Sequence, residues 1–292
     1  MFANATNPQF NAGDGSVLPP KVLIEIASNY KDTDCPLRGC LADAQMETDE
    51  LQNHCGFLPE FTTMLTDKSR TKPTKANVLK VLEQAAKLSH AYAAVPDRPN
   101  QTFWIGMSSH GSRERDDDGD EQDGYDELFV PSDFEENGCI RDDQFHDALK
   151  EFHPSCTVVV PIDACHSGTM GDLRHTFTGT MKVRVDNPRC DVRAAVYLVS
   201  GCRDNQTSAD AYGLLSGPAA ASYGKYTGAM KTMLWQTIRD NGYVLTFDAL
   251  MKGTKARLKA GGFDQVPVLS STRVLTKHDL FLNCGPRRGV VC

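Results

Sequence analysis

Two stretches hold residue types able to do nucleophilic chemistry. Residues 157–168 read Thr-Val-Val-Val-Pro-Ile-Asp-Ala-Cys-His-Ser-Gly, and residues 102–111 read Thr-Phe-Trp-Ile-Gly-Met-Ser-Ser-His-Gly. Each is an apolar run that stops at reactive side chains: Asp163 and Cys165 in the first, His110 in the second. A thiolate is the reactive form of cysteine, and an imidazolium beside it lowers the thiol pKa. Cys165 as nucleophile and His110 as general base or ion-pair partner therefore form a plausible pair. Gly111, lacking a Cβ, lets its backbone N–H approach a tetrahedral oxyanion, with the Cys165 N–H as second donor. Asp163, two residues before the thiol, favours a cationic side chain on the substrate. His166 adjoins Cys165, so its ring should point elsewhere. Taken singly, the bland readings hold: a lone cysteine after a strand is usually a small buried hydrophobe.

The elements that must position these residues follow from the pattern. Unbroken apolar runs of this length read as buried strands of a parallel sheet, and ligands of such sheets lie beyond the carboxyl ends of the strands. Val22–Ala27 reads as a first strand, interrupted by Glu25. A helical pattern follows to about Asn53, then a short strand over Phe61–Leu65. Pro73-Thr74 opens a helix with Val78, Val81, Leu82, Ala85 and Leu88 on one face and Thr74 as its N-cap. Phe145, Leu149 and Phe152 mark another helix. Ala194–Val199 and 265–270 read as strands, and Ala229–Arg239 and Phe247–Ala260 as helices. Strands alternating with helices predict an α/β fold with a mainly parallel central sheet and helices on both faces.

Composition narrows the field. The chain has 292 residues, 40% of them hydrophobic, enough for a sizeable core. A formal charge of −7 argues against a nucleic-acid partner. No apolar run is long enough to span a membrane. Residues 1–20, rich in Asn, Gly and Pro, read as a disordered arm without the features of a secretory signal. The 10 cysteines include no Cys-x-x-Cys pair, which disfavours a zinc cluster. A reducing, cytoplasmic setting is expected, with Cys35/Cys40 or Cys284/Cys292 as pairs that oxidation would join.

Ser-Ser-His-Gly followed by Asp-Ala-Cys-His-Ser-Gly resembles the metacaspases, cysteine proteases of the caspase-like clan. Residues 200–210, Ser-Gly-Cys-Arg-Asp-Asn-Gln-Thr-Ser-Ala-Asp, resemble the opening of their small-subunit region. The likeness runs from about Lys21 to Arg273, in large-then-small-subunit order. It implies a caspase-like fold in one domain: a catalytic region over 21–173, a linker over 174–193 and a small-subunit region over 194–292. Glu25 departs from the small residue usual there. The resemblance assigns catalysis to His110 and Cys165. It also builds a substrate S1 pocket from Cys40, Asp43, Ser108 and Asp163, hence cleavage after Arg or Lys. By its position alone, Asp43 is equally a dipole-favoured residue in the first turn of a helix.

The acidic run 114–127 invites Ca²⁺ by its density of hard oxygen ligands, or is a solvated charge run. It is not an EF-hand: with Gly119 or Gly124 at loop position six, position twelve is Tyr125 or Val130. The resemblance places a calcium site on Asp126, Asp142, Asp143 and Asp172. Asp142 and Asp143 otherwise simply start a helix. The segment 174–193, basic and aperiodic, reads as an exposed linker, with Lys182 and Arg184 as self-cleavage candidates. The expected protein is a calcium-activated endopeptidase acting on protein or peptide substrates with P1 Arg or Lys, and the resemblance implies a monomer. Two alternatives stand beside it: a catalytically silent caspase-like scaffold that regulates a partner protease, and a different cysteine hydrolase of the same clan.

Overall fold

Period-two alternation decides how each strand is used. In the first strand Val22, Ile24 and Ile26 enter one core while Leu23 enters another. Val158, Val160 and Ile162 divide from Val159 in the same way. A strand buried on both faces must be covered on both, and helices do this. These observations come from a computed structural model that describes residues 18–115, 125–165, 168, 170–178, 181–201, 210–215 and 217–284. Most of the N-terminal arm, the centre of the acidic run, His166, residues 202–209 and the tail from 285 lie outside the described residues.

In chain order the elements are β1 (Lys21–Ala27), α1 (Cys40–His54), β2 (Thr62–Thr66), α2 (Lys75–Ala93), β3 (Thr102–Ser108), β4 (Gly111–Arg115) and β5 (Tyr125–Phe129). Then come α3 (Phe134–Asn137), β6 (Ile140–Arg141), α4 (Asp142–Lys150), β7 (Thr157–Asp163), β8 (His175–Thr178), β9 (Val183–Val185) and β10 (Ala195–Ser200). The last are β11 (Asp210–Tyr212), α5 (Gly217–Tyr223), β12 (Tyr226–Gly228), α6 (Ala229–Asp240), β13 (Val244–Thr246), α7 (Phe247–Ala260), β14 (Val268–Ser271) and β15 (Leu280–Asn283).

Eight strands form the central sheet in the order β2-β1-β3-β7-β10-β14-β8-β9. The first five are mutually parallel, and β14, β8 and β9 add on antiparallel. Helices α2 and α4 cover one face; α1, α6 and α7 cover the other. The predicted mainly parallel α/β sheet with helices on both faces is the observed one. Thr74 caps α2 as expected, its side-chain oxygen accepting from Asn77 N. Among the described residues no helix is long and apolar enough to cross a membrane.

Two expectations need correction. The late strand starts at Val268 rather than Gln265, because Pro267 has no N–H to give a ladder. The segment 174–193 is not simply a linker. His175–Thr178 pairs with β14 inside the main sheet, and Phe177 is fully buried. A four-residue strand carrying one apolar side chain is too short to show periodicity. Lys182 and the β9 residues after it are exposed, and Arg184 pairs with Asp186 at 2.6 Å. Cys35 and Cys40 are not joined by a disulfide. The Cys55 thiol donates to the Cys284 sulfur, and Cys292 lies outside the described residues.

If Phe177 locks this segment into the sheet, Phe177→Ala will cost about 3–5 kcal/mol, read as a lower urea midpoint. A substitution in a true linker would leave the midpoint unchanged.

Candidate active site

Adjacent parallel strands place the reactive side chains at one rim. β3 and β7 run in register with Ser108 opposite Asp163. Ser109 N–H donates to the Asp163 carbonyl at 3.3 Å, carrying the pairing one residue past the strand. His110 and Cys165 therefore leave the sheet side by side, both half-buried. Gly111 shows how close the two segments come. A Cβ built there would stand 2.7 Å from the Cys165 carbonyl carbon and 3.0 Å from its N, so only glycine fits.

The His110 ring is held from behind. Its Nε2 lies 2.6 Å from the Cys35 carbonyl oxygen. A carbonyl only accepts, so Nε2 is the donor there and Nδ1 is the nitrogen left to face another group. The Tyr30 ring packs against the imidazole with centroids 4.8 Å apart. The Tyr30 hydroxyl donates to the Val130 carbonyl and accepts from His110 N–H at 3.2 Å. Burial first, and then Cys40, push the Tyr30 phenol well above its ordinary range, so it stays neutral. Tyr30 adopts a φ of +50°, a conformation seldom taken by bulky residues and commonest at functional sites. Sequence reading missed it, because its link to His110 spans 80 positions.

Of the four residues assigned to the pocket, Asp43 and Ser108 both neighbour Asp163, and Cys40 packs on Ala27 and Ala44. Ser108 and Asp163 face one another in register, while Cys40 and Asp43 open α1. Gly228, the N-cap of α6, joins the two acids. Its N–H donates to both Asp43 carboxylate oxygens at 2.9 and 3.0 Å. A Cβ on Gly228 would fall 2.5 Å from Asp43 Oδ2 and 2.8 Å from the Asp163 carboxyl carbon. Asp43 and Asp163 are 1% and 5% exposed. Burial first, and then the neighbouring Asp163, push the Asp43 carboxyl well above the usual carboxylate range. The Ser108 hydroxyl is buried and makes no hydrogen bond among the described residues.

Of the four proposed cation ligands, three come together. Asp126, Asp142 and Asp143 present carboxylate oxygens all within 4.8 Å of one another. Asp172 is not in this group; it sits at a left-handed φ of +43° and its carbonyl accepts from Asn187. Burial pushes the Asp142 carboxyl up to about 6, Asp126 adds to the rise, and N–H donors from Glu127 and Asp143 oppose it. Hard oxygen donors whose burial and mutual repulsion raise a pKa fit a hard divalent cation. The three are tied to the rim by a small sheet. Asp126 lies on β5, opposite β4, and β4 begins at Gly111.

The fold and the residues at its rim define the class: an α/β cysteine hydrolase. Residues 21–174 match the family described as metacaspase, peptidase C14 domain. An inactive metacaspase-4 of Trypanosoma brucei brucei is 33% identical over 274 residues, 88% of this chain and 73% of that protein. A metacaspase-1 of Yarrowia lipolytica is 29% identical over 303 residues, 86% of this chain and 61% of that protein. A metacaspase-1 of Saccharomyces cerevisiae is 30% identical over 322 residues, 90% of this chain and 68% of that protein. A crystal structure of a Geobacter sulfurreducens protein superposes with a TM-score of 0.62 at 24% identity, covering 92% of this chain and 98% of that one, a likeness of fold alone. The chain belongs to the metacaspases, cysteine-type peptidases with a caspase-like fold.

Because no side chain fits at Gly111, Gly111→Ala must push the Cys165 segment aside. Stability should fall by about 1–3 kcal/mol and kcat/KM by about 10²-fold or more. A variant with wild-type turnover would show that the two backbones need not touch.

Proposed function

We propose that this metacaspase is a calcium-activated endopeptidase that cleaves after Arg or Lys through Cys165 and His110. The observation that carries the specificity is the pair of buried carboxylates, Asp43 and Asp163, converging on Gly228. A cationic P1 side chain would find Asp43, Asp163, the Ser108 hydroxyl and Cys40 around it. His110 Nδ1 takes the thiol proton, and the Cys165 sulfur bonds to the scissile carbonyl carbon. The N–H groups of Gly111 and Cys165 support the oxyanion. The departing amine leaves with the proton from the imidazolium, and water then hydrolyses the thioester.

Calcium is assigned to Asp126, Asp142 and Asp143, with Asp172 as a more distant candidate. A bound divalent cation would neutralise these carboxylates. Their connection to Gly111 through β5 and β4 supports a role in ordering the rim. Self-processing at Lys182 or Arg184 follows from the same specificity, though Arg184 lies on β9 and must leave that strand to reach the thiol. A reducing, cytoplasmic compartment and a monomer are the working setting and assembly. The silent-scaffold reading has one observation in its favour: a relative 33% identical over 274 residues is described as inactive.

On short peptides, turnover should require P1 Arg or Lys and Ca²⁺, and vanish in Cys165→Ala. Preference for P1 Asp would overturn the pocket, equal rates with a chelator the calcium role, and no turnover would favour the scaffold. Mass spectrometry of the same Ca²⁺-treated samples should find cuts after Lys182 or Arg184 in the wild type only.

A cation must displace the proton that Asp142 holds up to about 6, so Ca²⁺ affinity should fall as pH drops through that value. Thermal unfolding should show a larger Ca²⁺-induced rise in Tm near about pH 7.5 than near about pH 5. Asp142→Asn should abolish the rise. Equal rises at both pH values would argue against this site.

A further inference from the structure

Glu25, the acid that interrupts the first strand, lies on the face of β1 that α1 and α6 cover. It is one of four fully or nearly buried acids there, with Asp43, Glu47 and Asp163. One cation stands among them in the described residues: Lys231, on the first turn of α6, 0% exposed. Its Nζ lies 2.5 Å from Glu47 Oε2 and 3.9 Å from Glu25 Oε2. Glu47 is fixed on its other oxygen by Trp104 Nε1 at 2.6 Å. The backbone N–H of Lys231 donates to Asp163 Oδ2 at 3.0 Å. Gly106 on β3 leaves the space that Glu25 fills; a Cβ there would stand 2.7 Å from the Glu25 carboxyl carbon.

We propose that Lys231 is a specificity-determining positioning residue: anchored by Glu47 beneath the pocket, its ammonium balances the negative charge of Asp43 and Asp163 so that they accept a cationic P1 side chain. The inference rests on the reading of those two aspartates as the S1 pocket.

Geometry and charge agree. Asp43 and Glu47 are one helical turn apart on α1, so they share a face. The Glu47–Lys231 pair thus clamps α1 to α6, the two helices whose first turns build the pocket. A buried carboxylate with no cation near it takes up a proton in preference to staying charged. At Glu25 burial first, and then Glu47, push the carboxyl well above the ordinary range, with Lys231 pulling the other way. Asp43 is pushed the same way by burial and Asp163, with Glu47 adding to it, while Lys231 opposes the rise. Burial works against the Lys231 ammonium, yet Glu47, Glu25 and Asp43 outweigh it and hold its proton more tightly than usual. The groups facing Asp43 are therefore Glu25 from β1, Glu47 from α1, Asp163 from β7 and Lys231 from α6. Without Lys231, Asp43 loses its charge at a higher pH and its hold on a P1 cation with it.

Two single variants test this with opposite signs. Lys231→Met removes the cation; Glu47→Gln removes an acid while keeping an oxygen for Trp104. For P1-Arg and P1-Lys peptides, Lys231→Met should raise KM about tenfold at neutral pH and move the acid limb of kcat/KM up by about one unit. Glu47→Gln should move that limb down. The same shifts should appear in the carboxyl-carbon NMR titration of Asp43 in a Cys165→Ala background, which needs no turnover. Unmoved titrations, or shifts in the same direction for both variants, overturn the proposal. If the wild type cleaves after neither Arg nor Lys, the pocket reading fails while the NMR titration still decides the charge balance. If Lys231→Met does not fold, Glu47→Gln decides alone: a downward shift supports the proposal, and none or an upward one overturns it.

Discussion

The register of two parallel strands is the constraint on which this metacaspase depends. With Ser108 opposite Asp163, every residue past the strand ends has a fixed neighbour. Slipping β3 against β7 by one position would turn each side chain to the other face and exchange the two cores. The apolar alternation on both faces therefore holds the rim in place. Gly111 then turns registry into contact, since its backbone meets Cys165 where no Cβ fits. The imidazole is then held between the Cys35 carbonyl and the Tyr30 ring, supports that limit its drift.

A second theme is the handling of negative charge. The chain gathers carboxylates at two places near the rim. Around Asp43 and Asp163 the charge is buried and met from inside by Lys231 and by N–H groups of α6. Around Asp126, Asp142 and Asp143 no such buried lysine stands among the described residues, and Arg141 is 3.7 Å from Asp126 Oδ2. Carboxylates concentrated in low dielectric repel one another and gain protons unless a cation intervenes. The first cluster has an internal cation; the second cluster has the donor chemistry for a metal ion.

Much of this was legible in the sequence, for physical reasons. The Val158–Ile162 run and the Thr102–Met107 run are long, apolar and bounded by small polar residues, which is what a doubly buried strand requires. His110 and Cys165 follow from where those runs stop. The family likeness placed Cys40, Asp43 and Ser108 beside Asp163; in the structure Asp43 and Ser108 neighbour Asp163, and Cys40 packs on Ala27 and Ala44. The rest rests on contacts between distant positions. Tyr30 reaches His110 across 80 residues, Gly228 meets Asp43 across 185, and Lys231 meets Glu47 across 184. No local pattern marks such pairs. Glu25 did leave a mark, as an acid inside an apolar strand, but only the fold names its partner. The 174–193 segment misled because its strand is short and its charges lie on the exposed stretch from Lys182.

The central claim is that the Cys165 thiol and the His110 imidazole meet at one rim and share a proton. The most direct measurement is the pH dependence of Cys165 alkylation by iodoacetamide, in the wild type and in His110→Ala. The account predicts a wild-type thiolate that forms well below the ordinary thiol range of about 8.5, and a return to that range in the variant. Identical profiles for the two proteins would contradict it.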